Sequence, residues 1–308
     1  MKFSLPLRLP FRLQGCSLAA RLLRHGWYVA PPPLFVPDLY RRLLEGDPCA
    51  DVLEVTTANG ATSLPVDMRN SQFIAADRES FPDGYEPDVA AAIDLLLPDD
   101  GVFIDAGSNW GCFALLAALR PGFHGQVVAI EPAPRPANDL AALVAALDLP
   151  IQLLRLALGD ADEEALLSQP VMTGGASLAD SGAGIPVSVR RLDSLNLPTP
   201  DLIKLDVEGA ELAAVRGAST LLMLHRPAIV LECRTDTPGG DWAAPLHLLA
   251  GHGYRILALE AAVDHAGGRC ALTLTPMTPA GRSAWPLHLN ILAIAEPDSL
   301  AHHPDRIA

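Results

Sequence analysis

VFIDAGSNWGCFALLAAL, residues 102–119, decides the fold. Val102 to Ile104 are apolar and run into Asp105 and Ala106. Gly107 and Gly111 punctuate the next stretch, and an Ala/Leu-rich segment follows. An apolar run of strand length, a glycine turn and a helix-length segment predict a strand over 102–106 and a helix over 110–119. The same alternation continues downstream. Strands are expected at 126–131, 151–157, 201–206, 228–233 and 254–259, with a last one in HLNILAIA at 288–295. Helices are expected at 136–147, 210–223 and around 244–251. Strands alternating with helices predict an α/β fold with a mostly parallel, doubly wound sheet. Such sheets bind ligands beyond the carboxyl ends of their strands, so the residues just past each strand carry the chemistry.

Upstream, DVLEVTTANGATSLPVDM reads as a β-hairpin around Asn59-Gly60. The apolar spacing from Val89 to Leu97 predicts a helix closed by Pro98. The chain thus divides into an N-terminal extension (1–48), a hairpin segment (49–80), the main domain (81–296) and an acidic tail (297–308). Half of the 308 residues are apolar, so a large core can be buried. The net charge of −14 argues against a nucleic-acid partner, which would want a basic face. The five cysteines are widely spaced and form no metal pattern, which predicts reduced thiols and a cytoplasmic setting. Arg8, Arg12, Arg21 and Arg24 interrupt every apolar stretch of the N-terminus, so neither a secretory signal nor a membrane-spanning helix is expected. A helical or loose extension packed on the main domain is expected there. Weak contact with an anionic membrane surface is the second reading.

The glycine turn does not fit a dinucleotide. The G-x-G-x-x-G pattern aligned on Gly107 needs glycine at 109 and 112, where Asn109 and Cys112 stand. The spacing is instead D-x-G-x-N-x-G, over Asp105, Gly107, Asn109 and Gly111. A carboxylate at the strand end can receive an ammonium group, and glycines allow close backbone approach. A cofactor with an amino-acid tail fits this better than a pyrophosphate, and S-adenosylmethionine (SAM) has that tail. Glu131, at the end of the next strand, can hold a ribose diol.

IKLDVEGAE places Lys204, Asp206 and Glu208 at alternate positions, followed by Gly209 and Glu211. In an extended chain the first three share a side. Three readings stay open: a buried ion pair with helix capping, a site that positions an acceptor and takes its proton, or a divalent-metal site built from Asp206, Glu208 and Glu232.

These motifs resemble the FkbM family of SAM-dependent methyltransferases. The residues that carry the resemblance are YEP at 85–87, FIDAGSNWG at 103–111, AIEP at 129–132 and ALGD at 157–160. GGASL at 174–178, VRRLDSL at 189–195, LIKLDVEGAELAAVRGA at 202–218 and PAIVLEC at 227–233 extend it. Ser108 stands where the family usually has alanine. The resemblance implies a class I methyltransferase fold, Rossmann-like, with a seven-stranded sheet and one antiparallel strand. It implies SAM as cofactor and O-methylation of sugar or polyketide-type hydroxyls, so a small-molecule or glycan acceptor. Carried onto this sequence, Asp105, Gly107, Asn109 and Gly111 hold the methionine end. Glu131 holds the ribose, Ala157 and Leu158 lie by the adenine, and Glu86 approaches from the preceding segment. Asp206, Glu208 and Glu211 line the acceptor side, with Lys204 beside Asp206. Asp206 is the first candidate to take the acceptor's proton, His288 the second and His225 the third. A nucleic-acid methyltransferase, a nicotinamide oxidoreductase and a non-catalytic binding module are the competing readings.

Overall fold

The computed structural model describes residues 1–15, 46–168, 177–179, 184–234, 242–278 and 288–295. The chain opens with strands β1 (Lys2–Pro6) and β2 (Phe11–Leu13). Alternation drives both: Phe3, Leu5, Phe11 and Leu13 are buried while Lys2 and Arg12 face out. The first 15 residues are therefore extended where a helical or loose segment was expected. Residues 16–45 of the extension, which include part of the basic N-terminal stretch read as a membrane-surface contact, lie outside the described residues. The hairpin follows as β3 (Ala50–Thr57) and β4 (Gly60–Asp67), with β2 as its third strand. Its register pairs Thr57 with Gly60, so Ala58 and Asn59 make the turn, one residue earlier than expected. Gly60 takes φ 112°, which only glycine adopts freely.

The main domain begins with helix α1 (Pro87–Leu96), started by Pro87 at its first turn. Strand β5 (Val102–Ala106) and helix α2 (Cys112–Ala118) form the expected strand–turn–helix. They are followed by β6 (Gln126–Ile130), α3 (Pro134–Leu147) and β7 (Ile151–Leu154). The segment expected as one strand over 151–157 leaves the sheet after Leu154. Ala157 and Leu158 form β8 of a smaller sheet with β9 (Glu163–Leu167), β10 (Leu178–Ala179) and β11 (Ile185–Arg190). Strand β12 (Leu202–Leu205) leads to two short helices, α4 (Glu211–Gly217) and α5 (Ser219–His225), in place of one. A Cβ on Gly217 would lie 1.9 Å from the Gly159 carbonyl oxygen, so glycine is required where the helix presses on the β8 end. Strand β13 (Ala228–Arg234), helix α6 (Ala244–Gly251) and strands β14 (Arg255–Asp264), β15 (Arg269–Pro276) and β16 (His288–Ile294) complete the fold.

Among the described residues the main sheet has nine strands, in the order β1-β15-β14-β16-β13-β12-β5-β6-β7. This corrects the expected seven. From β7 to β13 every pairing is parallel. Strand β16 runs antiparallel to both β13 and β14, which makes it the single reversed strand between β7 and β14. The two additional strands are β15, a hairpin partner of β14, and β1, which pairs with β15. The first residues of the extension thus belong to the main sheet rather than to a separate segment. Central strands are buried on both faces, as helices on both sides demand. Phe103 joins the apolar cluster containing α1 and α2, whereas its neighbour Ile104 joins the one containing α4 and α6. Sequence order reverses at β5, with β6 on one side and β12 on the other. That is where a crevice opens at the carboxyl ends of such a sheet.

Candidate functional site

The crevice is a cleft with ≈ 950 Å³ of empty volume, measured out to its open mouth. Its walls come from the carboxyl ends of β5, β6, β12 and β13, from the β8 segment, and from the residues before α1.

The turn after β5 is shaped by its contacts within the protein. Gly107 has φ 78°, and a Cβ there would lie 1.6 Å from the Asp206 carbonyl oxygen. A Cβ on Gly111 (φ 88°) would lie 2.3 Å from a Leu140 methyl on α3. Both glycines are therefore dictated by neighbouring chain, an addition to the expected approach of a ligand. Asn109 takes φ 50°, a left-handed conformation that asparagine tolerates better than most residues. Trp110 is 1% exposed and packs on Phe11 and Phe73. Its indole N–H donates to the Gln72 carbonyl at 2.9 Å, which ties the turn to the hairpin segment.

Asp105 ends β5 as a fully buried carboxylate. One oxygen accepts the Ala114 amide of α2 at 3.0 Å, and the other has no hydrogen-bond partner among the described residues. Burial pushes its pKa up to about 6, against the pull of Lys204. Asp105 is not among the wall residues, so it sits one layer behind the cleft. Glu131, after β6, is 6% exposed and does line the cleft. Its two oxygens accept the Asn109 amide at 2.8 Å and the Ala133 amide at 2.7 Å. Burial raises its pKa to about 7, partly offset by those two bonds. Each carboxylate oxygen keeps a lone pair for a second donor.

Lys204 is buried on the central strand β12, directly opposite Asp105 on β5. Its ammonium donates to Asp206 at 2.8 Å and lies 5.1 Å from the centre of the Phe113 ring. Burial opposes its charge, but Asp206, Asp105 and Glu86 outweigh that and hold it protonated. Strand β12 ends at Leu205, and the chain then turns sharply through Glu208 (φ 49°) and Gly209 (φ 94°). The alternation expected to continue to Glu208 is broken. Carboxylate oxygens of Asp206, Glu208 and Glu232 nonetheless converge to within 4.8 Å of one another. Glu211 turns away to accept the Gly209 amide at 3.0 Å. Glu86 caps α1 in a left-handed conformation (φ 42°), which a residue before proline disfavours. Burial, then the acidic neighbours Asp206, Glu232 and Asp88 acting against Lys204, carry its pKa to about 8.

The cleft wall thus contains Gly107, Asn109, Glu131, Ala157 and Leu158 on one side. Lys204, Asp206 and Glu208 stand on the other. Asp105, Gly111 and Glu86 stand behind it. His288 opens β16 opposite Arg234, but its side chain lies outside the described atoms, as do residues 174–176 of the GGASL motif. His225 is exposed at the end of α5, away from the cleft. Sequence reasoning missed Gln72, Ala75, Tyr85 and Phe113 in the wall. Tyr85 belongs to the YEP motif, which was the available signal. Gln72 and Ala75 come from a 3-10 turn after the hairpin, where no motif signals a site.

Among the described residues the wall bears four carboxylates, Glu131, Asp206, Glu208 and Glu232, against the one ammonium of Lys204. This charge balance suits a cationic ligand. SAM carries a sulfonium, an ammonium and a ribose diol. An acidic wall, a lone-pair-bearing Glu131 and an apolar side at Leu156–Leu158 fit those groups in turn.

A family model described as the methyltransferase FkbM domain matches residues 88–256, more than half of the chain. A search of curated proteins returns no match. Among solved structures, a methyltransferase FkbM from Methylobacillus flagellatus KT aligns at 18% identity and TM-score 0.42, over 82% of this chain. This chain spans 57% of that one's length. A precorrin-6Y C5,15-methyltransferase from Geobacter metallireducens GS-15 aligns at 18% identity and TM-score 0.40, over 68% of this chain and 88% of that one. A SAM-dependent O-methyltransferase from Thermotoga maritima aligns at 11% identity and TM-score 0.38, over 85% of this chain and 82% of that one.

Proposed function

Since the chain belongs to the FkbM methyltransferase family, we propose that it moves a methyl group from SAM to a hydroxyl on a glycan, glycolipid or polyketide-type product. The observation that carries this reading is the convergence of Asp206, Glu208 and Glu232 opposite Glu131 across one cleft. Glu131 holds the ribose diol. Ala157 and Leu158 give an apolar face for the adenine. Asp105, one layer back, acts on the methionine end through the turn it anchors and through water.

SAM, when bound, supplies an already activated methyl group, so the work left to the protein is alignment, water exclusion and removal of one proton. Asp206 takes that proton at a carboxylate oxygen. Lys204, fixed at 2.8 Å, orients the carboxylate and balances its charge. Glu208 positions the acceptor hydroxyl from the turn beyond. The acidic wall favours the sulfonium of the donor over the neutral thioether left after transfer, which aids product release.

The test is a labelled-SAM assay against cell-envelope extracts, paired with calorimetry. Asp206→Asn keeps an acceptor for Lys204, so it should lower turnover at least a hundredfold with SAM affinity little changed. Glu131→Ala should weaken SAM binding at least tenfold. Normal turnover in the first variant removes Asp206 as proton acceptor, and unchanged affinity in the second removes Glu131 from the ribose.

A further inference from the structure

A second cleft, with ≈ 500 Å³ of empty volume, opens beside the first between the β1–β2 connection and the α1 and α2 helices. Ala75, Tyr85 and Cys112 line both, so the two clefts adjoin. Much of the second cleft is apolar, including Leu9, Phe11 and Leu116. Its charged groups are Arg8, Arg78, Asp83 and Asp94.

Three of those four are engaged. Arg8 donates to both Asp94 oxygens and to the Leu116 carbonyl. Asp83 meets the His265 ring nitrogen at 2.6 Å. Arg78 differs: among the described residues it has no hydrogen bond or ion pair, and the charged group that acts on it there is a second guanidinium, Arg12. Burial depresses its pKa, with no carboxylate among the described residues to restore it. A shortage of acids is not the reason, because the chain has 36 Asp and Glu against 22 Lys and Arg. A half-buried guanidinium left open beside an apolar cavity is a ready receptor for a carboxylate or phosphate, which its fork of donors matches.

We propose that Arg78 binds the carboxylate or phosphate of a small organic anion whose apolar body fills the second cleft. We assign that anion as the methyl acceptor, with its hydroxyl reaching past Tyr85 to Asp206 in the first cleft, an assignment that rests on the methyl-transfer reading above. Tyr85 supports the arrangement. Burial and the nearby carboxylates keep its phenol protonated, so it can donate to an acceptor oxygen where the clefts meet.

Calorimetry on the full chain tests this, with benzoate, phenyl phosphate and neutral benzamide as probes, each with and without SAM. One of the two anions should bind at least tenfold more tightly than benzamide, as expected for a charge-assisted bond. The stronger anion tells carboxylate from phosphate. Arg78→Gln should abolish the discrimination with SAM affinity within twofold of normal, and Arg78→Lys should keep part of it. Absence of discrimination in the unaltered chain, or its persistence in both variants, overturns the site. If Arg78→Gln does not fold, a clear loss of discrimination in Arg78→Lys supports the site and an unchanged ratio overturns it. A tenfold loss of SAM affinity in either variant overturns the acceptor assignment, since Arg78 would then hold the cofactor's own carboxylate. Failure of the unaltered chain to bind SAM would refute the methyl-transfer reading and leave the anion result standing.

Discussion

Replacing Gly107 with alanine places a methyl carbon 1.6 Å from the Asp206 carbonyl oxygen, well inside contact distance. The oxygen belongs to backbone, so no side-chain rotation relieves the clash. Asp206 cannot retreat freely either, because its amide donates to Ala106 at 3.0 Å and its carboxylate holds Lys204. Two costs add. Alanine at φ 78° costs about 1–2 kcal/mol. Forcing the strand ends apart costs about 1–3 kcal/mol more. The total is about 2–5 kcal/mol, or a melting temperature lower by roughly 4–20 °C at about 2–4 °C per kcal/mol. Gly209 is the control, because its φ is 94° but nothing lies within 4 Å of its Cβ position. Gly209→Ala should lose only the conformational part, about 1–2 kcal/mol. Thermal denaturation of both variants without SAM decides the matter. Equal losses would refute the reasoning, since the Asp206 contact would then contribute nothing. So would a deficit in Gly107→Ala that appears only when SAM is added, because the glycine would then serve the ligand alone.

Glu131 makes the cofactor-free protein pH-dependent. Its pKa rises from 4.5 to about 7 on folding, so it favours the fold fully below its unfolded value and loses that contribution as pH climbs through 7. The change is worth about 3 kcal/mol; melts from pH 5 to 8 should show a decline that is shallower in Glu131→Gln, and parallel curves would sink the claim. Lys204→Met leaves Asp105, Asp206 and Glu86 around a site without its cation. Urea unfolding should report a loss of about 3–5 kcal/mol, and a variant as stable as the parent would mean that the ammonium does not hold these acids together. Trp110→Phe keeps the ring packing but leaves the Gln72 carbonyl without its donor. The expected loss is about 1–3 kcal/mol, and an unchanged urea midpoint would show that the bond between turn and hairpin is dispensable.

The parts of the fold that could be read in the sequence are those with strong local signals. Strand β5 is a short apolar run closed by Gly107, and helix α1 has proline at its start and just past its end. The strands that escaped notice pair locally but bury only one face. Strand β15 alternates, with Cys270, Leu272 and Leu274 buried and the less buried Ala271 and Thr273 between them. The Gly267-Gly268 pair before it was the available turn signal. Strand β9 is mostly exposed, opens on Glu163 and Glu164 and buries only Leu167, so it has no alternating apolar period. The split after Leu154 also had no local cue: Ile151 to Ala157 reads as one strand, and only the tertiary pairing of Ala157 and Leu158 with β11 divides it.

The candidate site divides along the same line, between residues fixed by strand ends and residues brought in from afar. Asp105, Glu131 and Asp206 sit at the ends of three adjacent parallel strands, so one topological rule gathers them wherever the loops go. Glu232 arrives by the same rule on β13. Gln72, Tyr85 and Arg78 come from the irregular segment between hairpin and α1, and nothing periodic fixes where they lie. The consequence is chemical as well as descriptive. A cationic cofactor is served by groups on the sheet, whose geometry the strands impose. The neighbouring cleft, which would take the proposed acceptor, is walled by the β1–β2 connection and the segment before α1 as well as by α1 and α2. The β1–β2 connection and the segment before α1 lie outside β5, β6 and β12, so their exposed positions can vary while those strands stay. One sheet can therefore keep its methyl donor while the chain before it changes what is methylated.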